Sequence, residues 1–183
     1  MRTHDVYFTS DQHWFHSNII GHCNRPFLSA DDMDEYMIQA WNETVKPGDV
    51  VYHLGDFAIT GYSESKFKPK VEKLLRKLNG NKILIQGNHD SPAVLKAQGW
   101  GNIHKMHHVK IDGQKLILCH YAMRTWQFKG SGAIHLYGHS HGNLPSLDKS
   151  MDVGVDAMGY KPIKFERIVE IMNKVDKGPT ERW

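Results

Sequence analysis

Strand-like and helix-like segments alternate along the chain, and this alternation limits the possible folds more than any other feature of the sequence. Runs of β-branched and aromatic residues that end in polar residues predict strands at 6–11, 50–56, 82–90, 115–122 and 133–141. Apolar residues at helical spacing predict helices from Ser29 to Trp41, at 65–78, and from residue 163 onward. The pattern indicates an α/β fold, a layered sandwich of mixed β-sheets flanked by helices.

A turn signal within 102–122 is the reason to expect mixed rather than purely parallel sheets. Two strand-like runs meet at Asp112-Gly113, a pair that favours a tight hairpin turn. The chain has 183 residues, 40% of them hydrophobic, and no linker-like segment divides it, so we expect a single domain over 1–183. The polar tail at 177–183 is expected to be disordered.

The composition of the chain indicates the cellular compartment and the kind of substrate to expect. The first residues carry charge before any apolar stretch and long apolar runs are lacking, so we expect neither a signal peptide nor a membrane span. Cys23 and Cys119 lie far apart and form no zinc-binding pattern, which favours a reducing, cytoplasmic location. A net charge of +3 suits an anionic substrate but is too small to indicate nucleic-acid binding. The sequence leaves the oligomeric state open.

Polar residues follow each predicted strand at the point where the apolar run stops. Because strand ends in layered α/β folds meet at one edge of a sheet, these side chains can lie close together. Buried carboxylates and imidazoles at such density would be costly in free energy unless a divalent metal accepted their lone pairs. The candidate metal ligands are Asp11, His13, Asp56, Asn88, His120, His139 and His141.

The chemistry of these candidates predicts which metal binds. The set combines carboxylates, imidazoles and one amide oxygen without a thiolate, which favours Mn²⁺, with Fe, Zn²⁺ or Ni²⁺ as alternatives. Seven ligands are too many for one ion but enough for two ions that share a carboxylate. Two such ions can hold a phosphoryl group and lower the pKa of a bound water. The cofactor predicted from the residues is therefore a pair of divalent metal ions.

Five short motifs carry a resemblance to a known family. In chain order they are DQH at 11–13, GDF at 55–57, GNHD at 87–90, His120 within CHYAM, and GHSH at 138–141. This series resembles the motifs of the calcineurin-like metallophosphoesterases, and the later segment VGVDAMGYKPI at 153–163 resembles the small bacterial and phage members. The resemblance implies the calcineurin-like metallophosphoesterase fold and in-line attack of a metal-bound hydroxide on phosphorus.

The same resemblance implies a role for each candidate. One metal would be bound by Asp11, His13 and His141, the other by Asn88, His120 and His139, with Asp56 as the bridge. His89 would contact the phosphate as a general acid or charge stabiliser, and Asp90 would orient its ring. An alternative interpretation treats residues 88–90 as a turn that caps a helix starting at Pro92.

Three further residues follow the motifs closely enough to border a bound substrate, namely His16, Arg25 and Arg124. For the two arginines, the sequence favours substrate contact and surface pairing about equally, because a guanidinium suits both partners. His16 favours a substrate contact slightly.

The predicted function is hydrolysis of phosphodiesters, with small phosphate esters or nucleotides as candidate substrates. One alternative is a phosphomonoesterase, and another is a catalytically weak scaffold that binds metal and protein partners. A nuclease that acts on DNA or RNA is a third possibility. It is less well supported, because a basic stripe with interleaved aromatic residues is missing from the sequence, apart from the lysine face of the predicted helix at 65–78.

Overall fold

The computed structural model describes residues 3–60 and 63–175, so the tail at 177–183 that we predicted to be disordered lies outside the described residues. The strands are β1 (Val6–Thr9), β2 (Val50–His53), β3 (Asn81–Ile85), β4 (Trp100–His104), β5 (Met106–Ile111), β6 (Gln114–Cys119), β7 (Ile134–Tyr137), β8 (Ser150–Asp152) and β9 (Ile163–Lys164). The helices are α1 (Asn18–His22), α2 (Ala30–Thr44), α3 (Glu64–Lys77), α4 (Pro92–Leu95), α5 (Val155–Met158) and α6 (Phe165–Asn173). None of these helices is long and apolar enough to cross a membrane.

The described strands form two mixed sheets, which confirms the predicted α/β layered fold. The first sheet has the order β4-β3-β2-β1-β9, in which β9 alone runs antiparallel to its neighbour. The second has the order β5-β6-β7-β8, in which β5 and β6 form an antiparallel pair. Parallel strands place their carboxyl ends along one edge of a sheet, where ligands bind in folds of this class.

Two hydrophobic cores hold the layers together, and β1 contributes to both. Tyr7 faces the core between the first sheet and the helices α2 and α3, where Trp41 and Leu75 are buried. Val6 and Phe8 face the second core, which lies between the two sheets and includes part of α6. Because successive side chains of a strand point to opposite faces, a strand covered on both sides needs an unbroken apolar run.

Helix α2 begins where the sequence predicts. The hydroxyl of Ser29 accepts a hydrogen bond from the N–H of Asp32 at 3.1 Å, and the Asp32 carboxylate accepts the N–H of Leu28 at 3.1 Å. These bonds satisfy amide groups that have no partner within the first turn. Near the other end, the indole of Trp41 donates to the carbonyl of Asn79 at 3.0 Å, which fixes α2 against the segment before β3.

The region 102–122 differs from the prediction. Asp112-Gly113 joins β5 to β6 as expected, but residues 100–104 form β4 and pair in parallel with β3 in the other sheet. The chain crosses between the sheets at Lys105, so the prediction of a hairpin strand from 102 was wrong. The physical reason is that an alternating pattern indicates a strand without indicating which strand it pairs with.

Candidate active site

Loops that follow the strands meet at one edge shared by the two sheets. The N–H of Asp11 donates to the carbonyl of Gly55 at 3.1 Å, and the N–H of His13 donates to the carbonyl of Asp56 at 3.2 Å. The loop after β1 therefore runs beside the loop after β2. The loop after β7 joins them from the second sheet, because the N–H of His139 donates to the Asp11 carboxylate at 2.9 Å.

Two groups of side chains at this edge could each hold a metal ion, and they are named the first and second metal-binding groups. They are Asp11 with His13 and His141, and Asp56 with His120 and His139. Within each group, one ligand atom from each residue lies within 4.8 Å of the others. Asn88 adjoins the second group, since its Oδ1 is 2.9 Å from Nε2 of His120. The structure therefore brings the seven predicted metal ligands together.

Asp56 belongs to the second group and also faces the first. Its Oδ2 is 3.6 Å from Nε2 of His13, and its Oδ1 is 3.5 Å from Nε2 of His120. The backbone N–H of His89 donates to Asp56 Oδ1 at 2.8 Å and fixes the orientation of the carboxylate. One oxygen of a single carboxylate therefore faces each group.

Several buried polar atoms at the site have no hydrogen-bond partner among the described residues, and such atoms indicate whether the site fits a metal. They include Asp11 Oδ1 and both ring nitrogens of His13. Leaving such an atom unpaired costs about 1–3 kcal/mol, and a divalent cation would accept its lone pair. In His120, Nδ1 donates to the carbonyl of Leu54 at 2.7 Å, which leaves Nε2 available as a ligand. The residues present therefore fit a metal ion.

The backbone at the site is strained. The left-handed φ angles are 62° at Asp11, 53° at His13, 55° at Asp56, 66° at His139 and 49° at His141. Residues other than glycine rarely adopt this conformation, which costs on the order of 1–3 kcal/mol each. Strain of this kind concentrates at functional sites, because the surrounding structure forces the side chains into one position.

Two glycines allow the loops to approach the carboxylates closely. A Cβ atom at Gly87 would collide with the carboxylate of Asp56, and one at Gly138 would collide with Ser10 and with the carboxylate of Asp11. Only glycine avoids these collisions without moving the backbone. The GNHD and GHSH motifs therefore begin with glycine for a steric reason.

The pKa values of the two carboxylates at the site, Asp11 and Asp56, shift in opposite directions. Burial raises the pKa of Asp11 to about 7, and a cation beside its carboxylate would favour the charged form. For Asp56, burial acts in the same direction, but His120 and the N–H of His89 outweigh it and lower the pKa to about 2. Burial lowers the pKa of His13 to about 3, so its imidazole is neutral, the form that binds metals.

Arg25 has a different role from the one predicted. Its side chain is 0% exposed, and its donors bind the carboxylate of Asp156, the carbonyls of Asp11 and Gln12, and the sulfur of Met33. All five N–H groups of a guanidinium are then engaged. Arg25 is therefore neither a substrate contact nor a surface pair, but a buried support of the site.

Asp90 also differs from the prediction. Its carboxylate accepts the backbone N–H groups of Asp56 at 3.1 Å, Phe57 at 2.9 Å and Gly87 at 2.8 Å. Asp90 thus holds the GDF and GNHD loops together instead of orienting the ring of His89. That ring is exposed, with its centroid 5.5 Å from the centroid of His13. The capping interpretation receives partial support, since α4 begins at Pro92 but Ser91 makes no side-chain cap bond.

The other two predicted substrate contacts lie in different surroundings. The half-buried ring of His16 has its centroid 6.0 Å from that of His13, beside the first metal-binding group. Burial and the neighbouring His22 and His89 lower the pKa of His16. Arg124 is exposed in the loop after β6, where its carbonyl accepts a bond from Lys129 Nζ at 3.1 Å. Substrate contact stays a prediction for both residues.

Two residues of the site were missed by the sequence reasoning. Asp156 accepts a hydrogen bond from Nδ1 of His141 at 2.7 Å. Its signal was its place within VGVDAMGYKPI at 153–163, a segment that shares the family resemblance but follows β8, a strand too short to be recognised. His53 is 0% exposed, its Nδ1 accepts the N–H of Gly55 at 3.2 Å, and burial lowers its pKa to about 3. His53 lies inside a predicted strand, and a structural histidine there has no separate sequence signal.

The fold and the site define a class of protein, a metal-binding hydrolase of phosphate esters. The chain belongs to the calcineurin-like phosphoesterase superfamily, because the model of that superfamily's domain matches residues 6–153. This finding confirms the family resemblance carried by the five motifs.

Similar proteins agree with this assignment in length and fold. An uncharacterized protein of Methanocaldococcus jannaschii, MJ1445, is 34% identical over 181 residues, which cover 95% of this chain and 94% of that protein. The gene 66 protein of Mycobacterium phage D29 is 26% identical, with 95% of this chain and 98% of the phage protein covered. Among solved structures, the protein of unknown function AQ665 from Aquifex aeolicus superposes with a TM-score of 0.73 at 22% identity, covering 92% of this chain and 100% of that one. The Aquifex protein supports the fold alone.

Proposed function

We propose that the protein is a phosphodiesterase that uses two divalent metal ions, one for each group of side chains. The observation that carries the proposal is Asp56, which directs one oxygen toward His13 and the other toward His120. A carboxylate in this position can join two cations into one centre. When bound, such ions neutralise charge on a phosphoryl group and lower the pKa of water. Mn²⁺ is the preferred ion because the ligands are oxygen and imidazole, with Fe, Zn²⁺ or Ni²⁺ as alternatives.

We propose that His89 is the side chain that acts directly on the substrate. Its ring is exposed beside His13, and its backbone is fixed by the bond from its N–H to Asp56. Neither metal-binding group includes this ring. The imidazole is therefore available to donate a proton to the leaving oxygen or to stabilise charge on the phosphoryl oxygens.

An exposed aromatic side chain beside the second metal-binding group supports a nucleotide-like ester as substrate. Tyr121 is 47% exposed, and its ring centroid lies 4.8 Å from that of His139 and 5.0 Å from that of His120. A base of a nucleotide-like ester can stack on such a ring, and the ring is placed beside the second metal-binding group, where the organic part of a bound ester would lie.

The remaining predictions about substrate and compartment belong to this proposal. Cys23 and Cys119 are both unpaired, which supports the proposed reducing, cytoplasmic location. The net charge of +3 supports a small anionic ester as substrate more than a long nucleic acid.

Replacing Tyr121 with leucine is expected to weaken the binding of nucleoside esters specifically. Loss of one stacked base removes about 1–3 kcal/mol, so the KM for thymidine 5′-(p-nitrophenyl) phosphate should rise about 5- to 150-fold. The kcat/KM for ethyl p-nitrophenyl phosphate, which has the same leaving group and no base, should change less than about twofold. Steady-state kinetics on both esters measure the difference. Phe128→Leu is the matched control, since Phe128 is 43% exposed in the same loop and should affect neither ester.

The proposed function is tested by hydrolysis of bis(p-nitrophenyl) phosphate beside p-nitrophenyl phosphate, in Mn²⁺ and in EDTA. We expect Mn²⁺-dependent turnover that is faster for the diester and disappears in EDTA. Faster cleavage of the monoester would identify a phosphatase instead. If the protein binds metal but hydrolyses neither ester, the scaffold interpretation would replace the enzyme.

A further inference from the structure

A buried ion pair lies behind the first metal-binding group, and the proposed chemistry does not use it. Arg25 and Asp156, 131 residues apart, bind each other through two hydrogen bonds of 2.8 Å. Their side chains are 0% and 7% exposed. Removing two charges from water is costly, and a buried pair contributes little to stability compared with apolar side chains of similar size. The other hydrogen bonds of Arg25 and Asp156 therefore indicate what the pair does.

Arg25 holds the loop that carries two of the predicted ligands. Its Nη2 donates to the carbonyl of Asp11 at 2.7 Å, and its Nη1 donates to the carbonyl of Gln12 at 2.8 Å. Because a guanidinium is planar and rigid, it fixes these two carbonyls relative to each other. The loop needs such support, since Asp11 and His13 have left-handed φ angles of 62° and 53°.

Asp156 holds the third ligand of the same group. Its Oδ2 accepts a hydrogen bond from Nδ1 of His141 at 2.7 Å. A histidine that donates Nδ1–H to a carboxylate presents the lone pair of Nε2 on the opposite side of the ring, the arrangement found in metal-binding histidines. The second group has its own support, because Nδ1 of His120 donates to the carbonyl of Leu54.

We propose that the Arg25–Asp156 pair is a positioning unit that sets the metal affinity of the Asp11, His13 and His141 position separately from that of the second position. This inference rests on the proposed function, because it requires two metal positions. Through Arg25 the pair fixes the loop with Asp11 and His13, and through Asp156 it fixes the ring of His141. Partners of this kind typically change metal affinity 10- to 100-fold.

Cys23 offers a competing interpretation. Together with His141 and Asp156 it forms a third group whose ligand atoms lie within 4.8 Å of one another. Both oxygens of Asp156 already accept hydrogen bonds, from Arg25 and His141. A metal bound by Asp156 would displace the buried guanidinium of Arg25 from its only charged partner among its described contacts, which is strongly unfavourable. We therefore interpret this group as a support of His141 and not as a third metal position.

The test is calorimetric titration of the metal-free, full-length protein with Mn²⁺, with the bound ions counted at saturation. Asp156→Asn keeps the size of the side chain but offers one acceptor oxygen where the pair uses two. We expect the affinity of one position to fall about 10- to 100-fold, with the other changed less than about twofold. Arg25→Lys keeps the charge but loses the planar geometry, and is expected to weaken the same position.

Two further variants separate positioning from other roles. Asp49→Asn removes a carboxylate that is also buried, but that binds the N–H groups of Asp5 and Lys46 before β2, and both affinities should stay unchanged. Cys23→Ser should also keep both ions, and loss of an ion in that variant would replace the proposal by a third metal position. Unchanged affinities in Asp156→Asn and Arg25→Lys would overturn the proposal, and so would equal weakening at both positions.

A second readout separates this inference from the proposed function. Nitrogen NMR of the metal-free protein reports which ring nitrogen of His141 carries the proton. We expect Nδ1–H in the original protein and a mixture of tautomers in Asp156→Asn. If the original protein binds fewer than two Mn²⁺ ions, the two-metal function fails. The positioning role of Asp156 is then decided by NMR, where loss of Nδ1–H in the variant supports it and an unchanged tautomer overturns it.

Discussion

Replacing Asp56 with alanine is expected to remove bound metal and turnover together. Asp56 directs one oxygen toward each metal-binding group, and without it the second group consists of the neutral ligands Asn88, His120 and His139. Neutral ligands alone hold a hard divalent cation weakly. We expect the loss of both ions on dialysis and a fall in kcat/KM of more than about 10³-fold, beyond the roughly 10²–10³-fold that removal of one charge-stabilising donor costs.

Elemental analysis after dialysis and kinetics on bis(p-nitrophenyl) phosphate measure the two effects in the same sample. Asp49→Ala is the control, because it removes a buried carboxylate that lies before β2 and not after it. That variant should keep both ions and its turnover. If Asp56→Ala retained two ions per chain, Asp56 would not be the bridge, and the two groups would have to bind metal independently of it.

The metal ligands were predictable because their signal is local. Each follows an apolar run, and the parallel order of β1, β2 and β3 brings the ends of these strands to one edge. Asp11 and His139, which form one of the hydrogen bonds between the two sheets there, were both among the candidates from sequence. The sequence could not show that the joining bond runs from the N–H of His139 to the Asp11 carboxylate, because that bond depends on how the two sheets pack.

The support behind the ligands was not predictable, because it depends on contacts between distant parts of the chain. Arg25 and Asp156 are 131 residues apart. A sequence motif can place an arginine near a phosphate site, but it does not show whether the side chain points toward the substrate or into the protein. Asp90 shows the same limit at short range. It follows His89 directly, yet its carboxylate turns to the N–H groups of Asp56, Phe57 and Gly87. Adjacency in sequence predicts that two residues lie close together. It does not predict the hydrogen-bond partner of a buried carboxylate, which depends on where backbone N–H groups lack another acceptor.

The sequence predicted the layers of the fold, with mixed sheets flanked by helices, but not which strands pair with each other. The helices α2, α3 and α6 follow the predicted apolar spacing, and each buries most of its apolar face, although Tyr36 of α2 is 50% exposed. Residues 102–104 were included in the predicted hairpin but belong to β4 of the other sheet, and β8 and β9 are only three and two residues long. Short strands carry too few residues to show a period of two, so one edge of each sheet had no clear signal.

Replacing His89 with alanine is expected to leave the metal in place and to reduce turnover about 10²- to 10⁴-fold, the range for a general acid. The contact that links residue 89 to Asp56 is a backbone N–H, and alanine keeps it. The exposed ring is lost, and with it the group next to His13 that is available to the substrate. Ion counting and the kcat for diesters are the measurements, with His108→Ala as the control because His108 is exposed on β5.

The dependence on the leaving group decides between the two roles of His89. A p-nitrophenolate leaves readily without a proton, whereas the alkoxide of a dinucleotide needs one, so loss of a general acid should be larger for the dinucleotide. Equal losses on both diesters would indicate charge stabilisation on the phosphoryl oxygens instead. If the metal content of His89→Ala falls, the ring is a ligand and the division of the site into seven ligands and one free histidine is wrong. A variant that keeps both its metal and its full turnover would remove His89 from the chemistry and leave His16, beside His13, as the next histidine to test.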